Sequence, residues 1–292
     1  MKESKESNRL ERLVDLHTHS TASDGRLSPG ELVAYAKNKG AAAIALTDHD
    51  TIEGVEAALS AGKDQKLEVI PGLEISAEFS GGSMHILGYF IEPSDPSLNR
   101  ELRRLQEARR ERNPKIIKKL QSLGIPISFD QVQALAKGQI GRPHIAQVLF
   151  QTGAVSSLDE AFHKYLTKGA SAYVEKFRFP PNKAISMIIK AGGIPVLAHP
   201  FTLNCPSLRD LKGLVEKLKD DGLKGIEVLY SEHSSDQTRD YFTLVNELDL
   251  LYTGGSDFHG AVNEEVDLLF GKGDLKIPYQ IVEDMKAVKA RN

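Results

Sequence analysis

The sequence predicts an α/β fold built on a largely parallel sheet. Two patterns carry that expectation. Short apolar runs alternate with amphipathic helical stretches along most of the chain, and strands that alternate with helices build a parallel sheet, either open or closed into a barrel. A central stretch breaks the alternation with helix alone, as an insertion would. The length of 292 residues suits one large domain with an insertion, or two smaller domains.

The elements follow in order. An apolar run ends in His17 and His19 (VDLHTH). Ser28-Pro29-Gly30-Glu31 reads as a helix start: Ser28 caps, Pro29 suits the first helical position, and Glu31 closes a capping box. That helix ends near Gly40. Ala42–Thr47 is a buried strand, and a helix follows Thr51. Glu68–Ile75 and His85–Phe90 are the next strands. Further on, the expected helices are Pro181–Ala191, Ser207–Asp221 and Asp236–Leu248. The strands between and after them are Ile194–Ala198, Gly225–Leu229 and Leu250–Thr253.

Residues 97–170 form the inserted stretch, leaving 1–96 and 171–292 as the body. Arg100–Leu123 is a long helical pattern, expected to be interrupted near Asn113-Pro114 because proline lacks the amide a helix needs. Ser128 with Gln131, and Ser157 with Glu160, mark two more capped helices. The stretch holds 13 Lys and Arg against 6 Asp and Glu, a net of +7, and the remainder carries −10. Solvated helix faces account for many such charges. A basic cap over an acidic body also attracts and holds an anion.

Composition sets bounds on function. The net charge of −3 points to no polyanionic partner. A single cysteine, Cys205, forbids an internal disulfide and fits a reducing, cytoplasmic setting. The first thirteen residues are charged and polar, without the apolar core of a secretory signal. No apolar run approaches a membrane span.

The chemistry lies where histidines and acids end the apolar runs. His17 and His19 end the first, His49 (IALTDH) the second, Glu74 (VIPGLE) the third. His199 (PVLAHP) and Asp257 with His259 (LLYTGGSDFH) end two later ones. In a parallel α/β barrel, catalytic residues gather at the C-terminal ends of the strands, so these runs deliver ligands to one rim. His85 begins its run, which implies a strand of opposite direction or entry from a loop. Asp24, in SDG, joins the set. Residues i and i+2 of a strand share a face, so His17 and His19 are placed to chelate one ion, and Asp257-x-His259 has the same spacing. Imidazole and carboxylate without thiolate suit zinc, manganese or iron. The nine candidates His17, His19, Asp24, His49, Glu74, His85, His199, Asp257 and His259 are too many for one ion and suffice for two or three. His163, in a helical pattern, reads as structural, and His233 receives no role.

HTHSTASDG, TDHDTIEG, GLEIS, HILGY, AHP and GSDFH resemble the motifs of the PHP (polymerase and histidinol phosphatase) superfamily, in order from about Val14 to His259. The segments GRPHIA and KGASAYV are most similar to the branch of 3′,5′-nucleoside bisphosphate phosphatases and 5′-to-3′ exoribonucleases acting on short RNA. The resemblance implies a distorted (β/α)7 barrel with an inserted helical cap, and three metal ions. One ion would be held by His17, His19, Glu74 and Asp257, and a second by Glu74, His85 and His199. A third would take Asp24, His49 and His259.

The function expected is hydrolysis of a phosphate ester of a nucleotide-like substrate by a metal-bound hydroxide held by Glu74 and its neighbours. Two or three divalent ions (Mn, Zn or Fe) are the cofactors. Arg142 is the phosphate clamp, since guanidinium meets phosphate through a planar fork. His144 and Lys168 are further candidates for phosphate contact or leaving-group protonation, and Tyr173 for a sugar or base. The rivals are a histidinol phosphate phosphatase, which the basic cap disfavours, and a non-catalytic metal-binding module, which the complete ligand set disfavours. No extended aromatic-basic surface suggests long nucleic acid as partner.

Overall fold

The structure is a computed structural model that describes residues 12–260 and 265–291. Residues 1–11, most of the charged N-terminal stretch noted above, lie outside them. Seven strands form one sheet in sequence order: β1 (Val14–Thr18), β2 (Ala43–Leu46), β3 (Glu68–Ala77), β4 (Met84–Tyr89), β5 (Ile194–Leu197), β6 (Gly225–Tyr230) and β7 (Leu251–Gly255). The sheet is nearly closed into a barrel. Thr18 bridges Phe258 in parallel, and Asp257 donates its amide to the His17 carbonyl, joining the two ends of the sheet.

Six strands run one way and β4 runs against both neighbours, pairing His85 with Ser76 on β3 and Ile86 with Leu197 on β5. The reversal explains His85. A residue at the start of a reversed strand lies on the same rim as residues at the ends of the others.

Strand side chains alternate between two apolar layers. Ile44 and Leu46 pack with the surrounding helices α1 (Pro29–Asn38) and α2 (Val55–Gln65) through Leu32, Val33, Val55 and Ala58. Helices α7 (Pro181–Lys190), α8 (Leu208–Asp220) and α9 (Ser235–Glu247) add Ile185, Val215 and Leu244 to that layer. Val14, Leu16, Ala43, Ala45, Ile194 and Val196 form the other layer. It is completed by Ile281, Val282 and Met285 of the last helix, α10 (Gln280–Lys289). The Ile277 carbonyl accepts the Val14 amide, so the lead-in to α10 sits at the N-terminal end of β1, away from the ligand rim.

Between β4 and β5 come α3 (Pro96–Ser122), α4 (Phe129–Leu135), α5 (Arg142–Gln151) and α6 (Leu158–Ala161). They share a separate apolar cluster that includes Ile116, Ile117, Leu120, Ile145, Leu149 and Leu166. The caps at Ser28, Ser128 and Ser157 form as the sequence suggests. The expected interruption at Asn113-Pro114 does not occur: α3 runs through Pro114 as one helix. A mid-helix proline costs about 3 kcal/mol. Flanking side chains offset it, since Ile116, Ile117 and Leu120 are buried, Asn113 donates to the Ile140 carbonyl at 2.8 Å and Arg112 to the Val174 carbonyl at 2.8 Å.

Candidate metal centre and active site

The rim of the barrel gathers all nine candidate ligands. His17 lies within a register slip of β1 against β2, between Asp15 and Thr18, and a second slip falls between Glu227 and Leu229 on β6. Irregularities of this kind re-aim side chains at strand ends. His49, just past β2, bridges Glu74 on β3. His199 and Asp257 take left-handed backbone angles, φ 23° and 59°, which cost energy in non-glycine residues and cluster at functional sites.

Glu74 is the centre. Its Oε2 lies 2.6 Å from His49 Nδ1, 3.5 Å from His17 Nε2 and 3.6 Å from His19 Nε2. Its Oε1 lies 2.8 Å from His85 Nδ1 and 3.0 Å from His199 Nε2. Asp257 Oδ1 stands 2.9 Å from His19 Nε2 and 3.3 Å from His17 Nε2. The Asp24 oxygens stand 3.3 Å from His259 Nε2 and 3.9 Å from His49 Nε2. Four overlapping groups are spaced to hold an ion: His19–Asp24–His49–His259, His17–His19–Asp257, His17–Glu74–His199 and His49–Glu74–His85.

The donor chemistry fits divalent cations. His17 Nε2, His19 Nε2, Asp24 Oδ1, His49 Nδ1, Glu74 Oε2, His85 Nδ1 and Asp257 Oδ1 are all buried without a hydrogen-bond partner. Each such buried atom costs about 1–3 kcal/mol if nothing binds it. Lone pairs that converge with no donor between them are satisfied by cations. The protonation of the set shows the same frustration. Burial and the nearby His259 pull His19 down to about 3. Burial also disfavours charge on His259, yet Asp24 and Asp257 outweigh it and push that imidazole up to about 10.

Several residues of the site were missed from sequence. Glu227 is fully buried; its Oε1 accepts the His17 Nδ1 proton at 2.9 Å and its Oε2 accepts the His199 amide at 2.9 Å. This leaves His17 Nε2 bare toward Glu74 and Asp257, the outer-shell arrangement typical of metal-binding histidines. The signal was a glutamate inside the apolar run GIEVL, a position that demands partners. Asp48 accepts from the Ser20 amide and from the hydroxyls of Ser20 and Ser23, and burial pushes its carboxyl up to about 6. Asp50, next to His49, accepts from Arg109 Nη2 at 2.6 Å and Lys176 Nζ at 2.8 Å. Tyr230 donates its hydroxyl to Asp257 Oδ2 at 2.9 Å.

A cavity of about 1080 Å³ opens over the ligands. Asp24, His49, His85 and His259 line it together with Arg109, Arg112, Arg142, Lys168, Tyr173, Lys176 and Arg178. Three of the four expected substrate contacts, Arg142, Lys168 and Tyr173, are therefore on its wall. Lys168 is exposed and donates to the Ser80 carbonyl at 3.3 Å, and the Tyr173 hydroxyl donates to the Glu175 carboxylate at 3.0 Å. The fourth, His144, turns back on its own helix, where its Nδ1 accepts the Gly141 amide at 3.1 Å and caps α5. His233 packs away from the ligands, its ring against Tyr230 and Tyr241 and its Nδ1 2.9 Å from the Val228 carbonyl.

The sequence pattern of the PHP domain matches residues 15–175. This chain belongs to the PHP family. A Haemophilus influenzae protein named 5′-3′ exoribonuclease is 39% identical over 250 residues, covering 86% of this chain and 91% of that protein. A 3′,5′-nucleoside bisphosphate phosphatase of Chromobacterium violaceum is 34% identical over 252 residues, covering 84% and 87%. A solved structure from Bifidobacterium adolescentis, described as a metal-dependent phosphoesterase, superposes with a TM-score of 0.84 at 29% identity, covering 94% of this chain and 95% of that one. The PHP chain described here is thus a hydrolase acting on phosphate esters, with His, Asp and Glu clusters suited to metal ions. No helix among its described residues is long and apolar enough to cross a membrane.

Proposed function

We propose that this PHP protein hydrolyses a phosphate ester of a nucleotide-like substrate, either a 3′,5′-nucleoside bisphosphate or a short 5′-phosphorylated RNA. One observation carries the reading. Unpaired imidazole and carboxylate atoms converge at the floor of a cavity whose walls are lined with arginine and lysine. The floor suits the reacting phosphate, and the walls suit an anionic substrate. The relatives named exoribonuclease and bisphosphate phosphatase act on substrates of this kind, which supports the choice.

The residues fit two or three divalent ions. Glu74 Oε2 faces His17, His19 and His49, and its Oε1 faces His85 and His199, the disposition of a carboxylate shared between ions. His17, His19, Glu74 and Asp257 would hold one ion, and Glu74, His85 and His199 a second. Asp24, His49 and His259 would hold a third. Bound divalent metal supplies Lewis acidity, activating water near neutral pH and neutralising charge on phosphoryl oxygens. Glu227 keeps His17 in the tautomer that ligates. The helices of residues 97–170 act as the cap, bringing Arg109, Arg112 and Arg142 over the rim.

Histidinol phosphate carries an ammonium group, which the cationic wall repels. The test is a phosphate-release screen with manganese on 3′,5′-bisphosphates, nucleoside monophosphates, short 5′-phosphorylated RNA and histidinol phosphate. Turnover of histidinol phosphate in preference to every nucleotide would overturn the reading.

A further inference from the structure

Of the large apolar side chains that stand exposed among the described residues, Phe177 alone lines the cavity over the rim. It is 45% exposed. The residues beside it are charged and engaged: Lys176 pairs with Asp50 at 2.8 Å, and Arg178 with Glu175. Single exposed apolar residues are ordinary on an open surface. In a concavity lined by cations, an open aromatic ring is a different matter, because concave sites use such rings to seat ligands.

The ring is held from behind. Phe177 and Phe179 lie two residues apart, and Phe179 bridges Ala77 on β3 in parallel, its carbonyl accepting the Glu78 amide at 2.8 Å. Phe179 is buried in the helix-facing apolar layer. The Phe177 ring meets it edge to face, with centroids 4.9 Å apart and an interplanar angle of 82°. The Arg104 guanidinium lies 5.2 Å over the Phe177 ring and 5.1 Å over the Phe179 ring, and Glu101 holds that arginine at 2.8 Å. Edge-to-face packing and a cation over a ring both restrict ring orientation. Phe177 is therefore fixed in place while the rest of its surface opens to the cavity, the state of a preorganised contact.

Tyr173, the sequence's candidate for a sugar or base, is already occupied. Arg112 lies 5.6 Å over its ring, and its hydroxyl donates to the Glu175 carboxylate at 3.0 Å. Cations on the wall suit the charged part of a substrate. An open ring among them suits a flat, uncharged group joined to that part, and a nucleobase is such a group. Stacking on an aromatic side chain accepts any base, because every base has a π face.

We propose that Phe177 is the stacking platform for the substrate's nucleobase, gripping the base by its face and leaving its edge unread. The inference rests on the phosphoesterase reading above and deepens it: the substrate must carry a base, and any of the four serves. Phe179 and Arg104 are positioning residues that seat the platform.

The test has a kinetic arm and a binding arm. The first measures kcat/KM of manganese-loaded wild type, Phe177→Ala and Phe177→Tyr on adenosine 3′,5′-bisphosphate and on the same sugar bisphosphate with no base. Phe177→Ala is expected to lose about five- to a hundredfold on the adenosine compound, the scale of one base stacked on one ring, and a smaller factor on the abasic one. Phe177→Tyr keeps the face and is expected to restore most of the loss. The guanosine, cytidine and uridine bisphosphates are expected to fall within about tenfold of adenosine in wild type. Equal losses on the adenosine and abasic compounds would overturn the platform, and so would no loss on either. A wider spread among the bases would overturn the face-only grip. The binding arm needs no turnover. The chain contains no tryptophan, so Phe177→Trp carries its only indole. With zinc in place of paramagnetic manganese, adenosine 5′-monophosphate is expected to quench that fluorescence saturably and ribose 5-phosphate to leave it unchanged. The same response to both, or to neither, would overturn the proposal. If wild type hydrolyses no phosphate ester, the phosphoesterase reading fails by itself, and the fluorescence alone decides whether Phe177 seats a base.

Discussion

Glu227 Oε1 lies 2.9 Å from His17 Nδ1, on the side of the imidazole turned away from Glu74 and Asp257. The second Glu227 oxygen holds the His199 amide, so one buried carboxylate orients two candidate ligands, one on β1 and one just past the end of β5. Outer-shell partners of this kind are worth about 10–100-fold in metal affinity. Glu227→Gln is expected to raise the manganese concentration needed for half-maximal activity by that factor, with much of the turnover recovered at saturating metal. Unchanged metal dependence in a folded variant would remove Glu227 from the positioning role.

The same residue shows what the sequence left hidden. Candidate ligands were legible because they end apolar runs, and a parallel barrel brings run ends to one rim. His85 was legible as an exception, and the reversal of β4 resolves it. Glu227 lies inside a run, between Ile226 and Val228, where pattern alone reports a strand and not a partner. Asp50, Arg109 and Lys176 come from three distant parts of the chain, and only packing of α3 over the rim joins them. Pro114 misled for a related reason: local propensity predicts a break, and tertiary contacts on both sides override it.

Glu74 faces five imidazoles through its two oxygens, whereas His259 meets two carboxylates, Asp24 and Asp257, and stacks on the His19 ring at the outer edge of the cluster. Glu74→Gln is therefore expected to lose more activity than His259→Ala. Elemental analysis is expected to find more than one transition-metal ion per wild-type chain, and fewer in Glu74→Gln. Equal turnover by wild type and Glu74→Gln at saturating manganese would contradict the shared role of that carboxylate.

Glu101 ties α3 to α7 through Lys183 at 3.3 Å and pairs with Arg104 at 2.8 Å. Burial raises its carboxyl pKa, but the hydrogen bonds from Arg104 and Lys183 outweigh that and hold it below the usual value. A folded-state pKa below the unfolded one gives stability that is present above the unfolded value, roughly 4.3, and lost as pH falls through the folded one. Arg104 and Lys183 stand largely in solvent, so the gain is that of an exposed pair, about 0.5–1 kcal/mol. Glu101→Gln is expected to be less stable than wild type by that amount at pH 7 in urea unfolding. The gap should shrink as the pH falls below about 4. A gap independent of pH would assign the loss to packing.

The Asp50 clasp gives the sharpest test of how the helices above the rim are held. Asp50 is fully buried, with φ 54°, and its Oδ2 takes both Arg109 and Lys176. Ser76 adds its amide to Oδ1 at 2.8 Å. Burial disfavours the Asp50 charge, but Lys176 and Arg109 outweigh it and hold the carboxyl far below its ordinary value, while burial and Arg109 pull Lys176 down to about 7. Asp50→Asn keeps the shape and leaves two buried cations facing a neutral amide. Removing one partner of a buried pair costs about 3–5 kcal/mol, and each kcal/mol lowers the melting temperature of a chain this size by roughly 2–4 °C. The expected fall in metal-free protein is therefore about 6–20 °C. Loss of a well-packed contact alone would predict that a second substitution adds further damage. Loss of charge balance predicts the reverse: Lys176→Met in the Asp50→Asn background removes an uncompensated cation and should recover part of the melting temperature. Lys176→Met alone should be destabilising, because it strips Asp50 of a partner. The four melting temperatures form a double-mutant cycle. A coupling close to zero would show that the two residues are neighbours without being an electrostatic pair, and the helices above the rim would then be held by apolar packing instead.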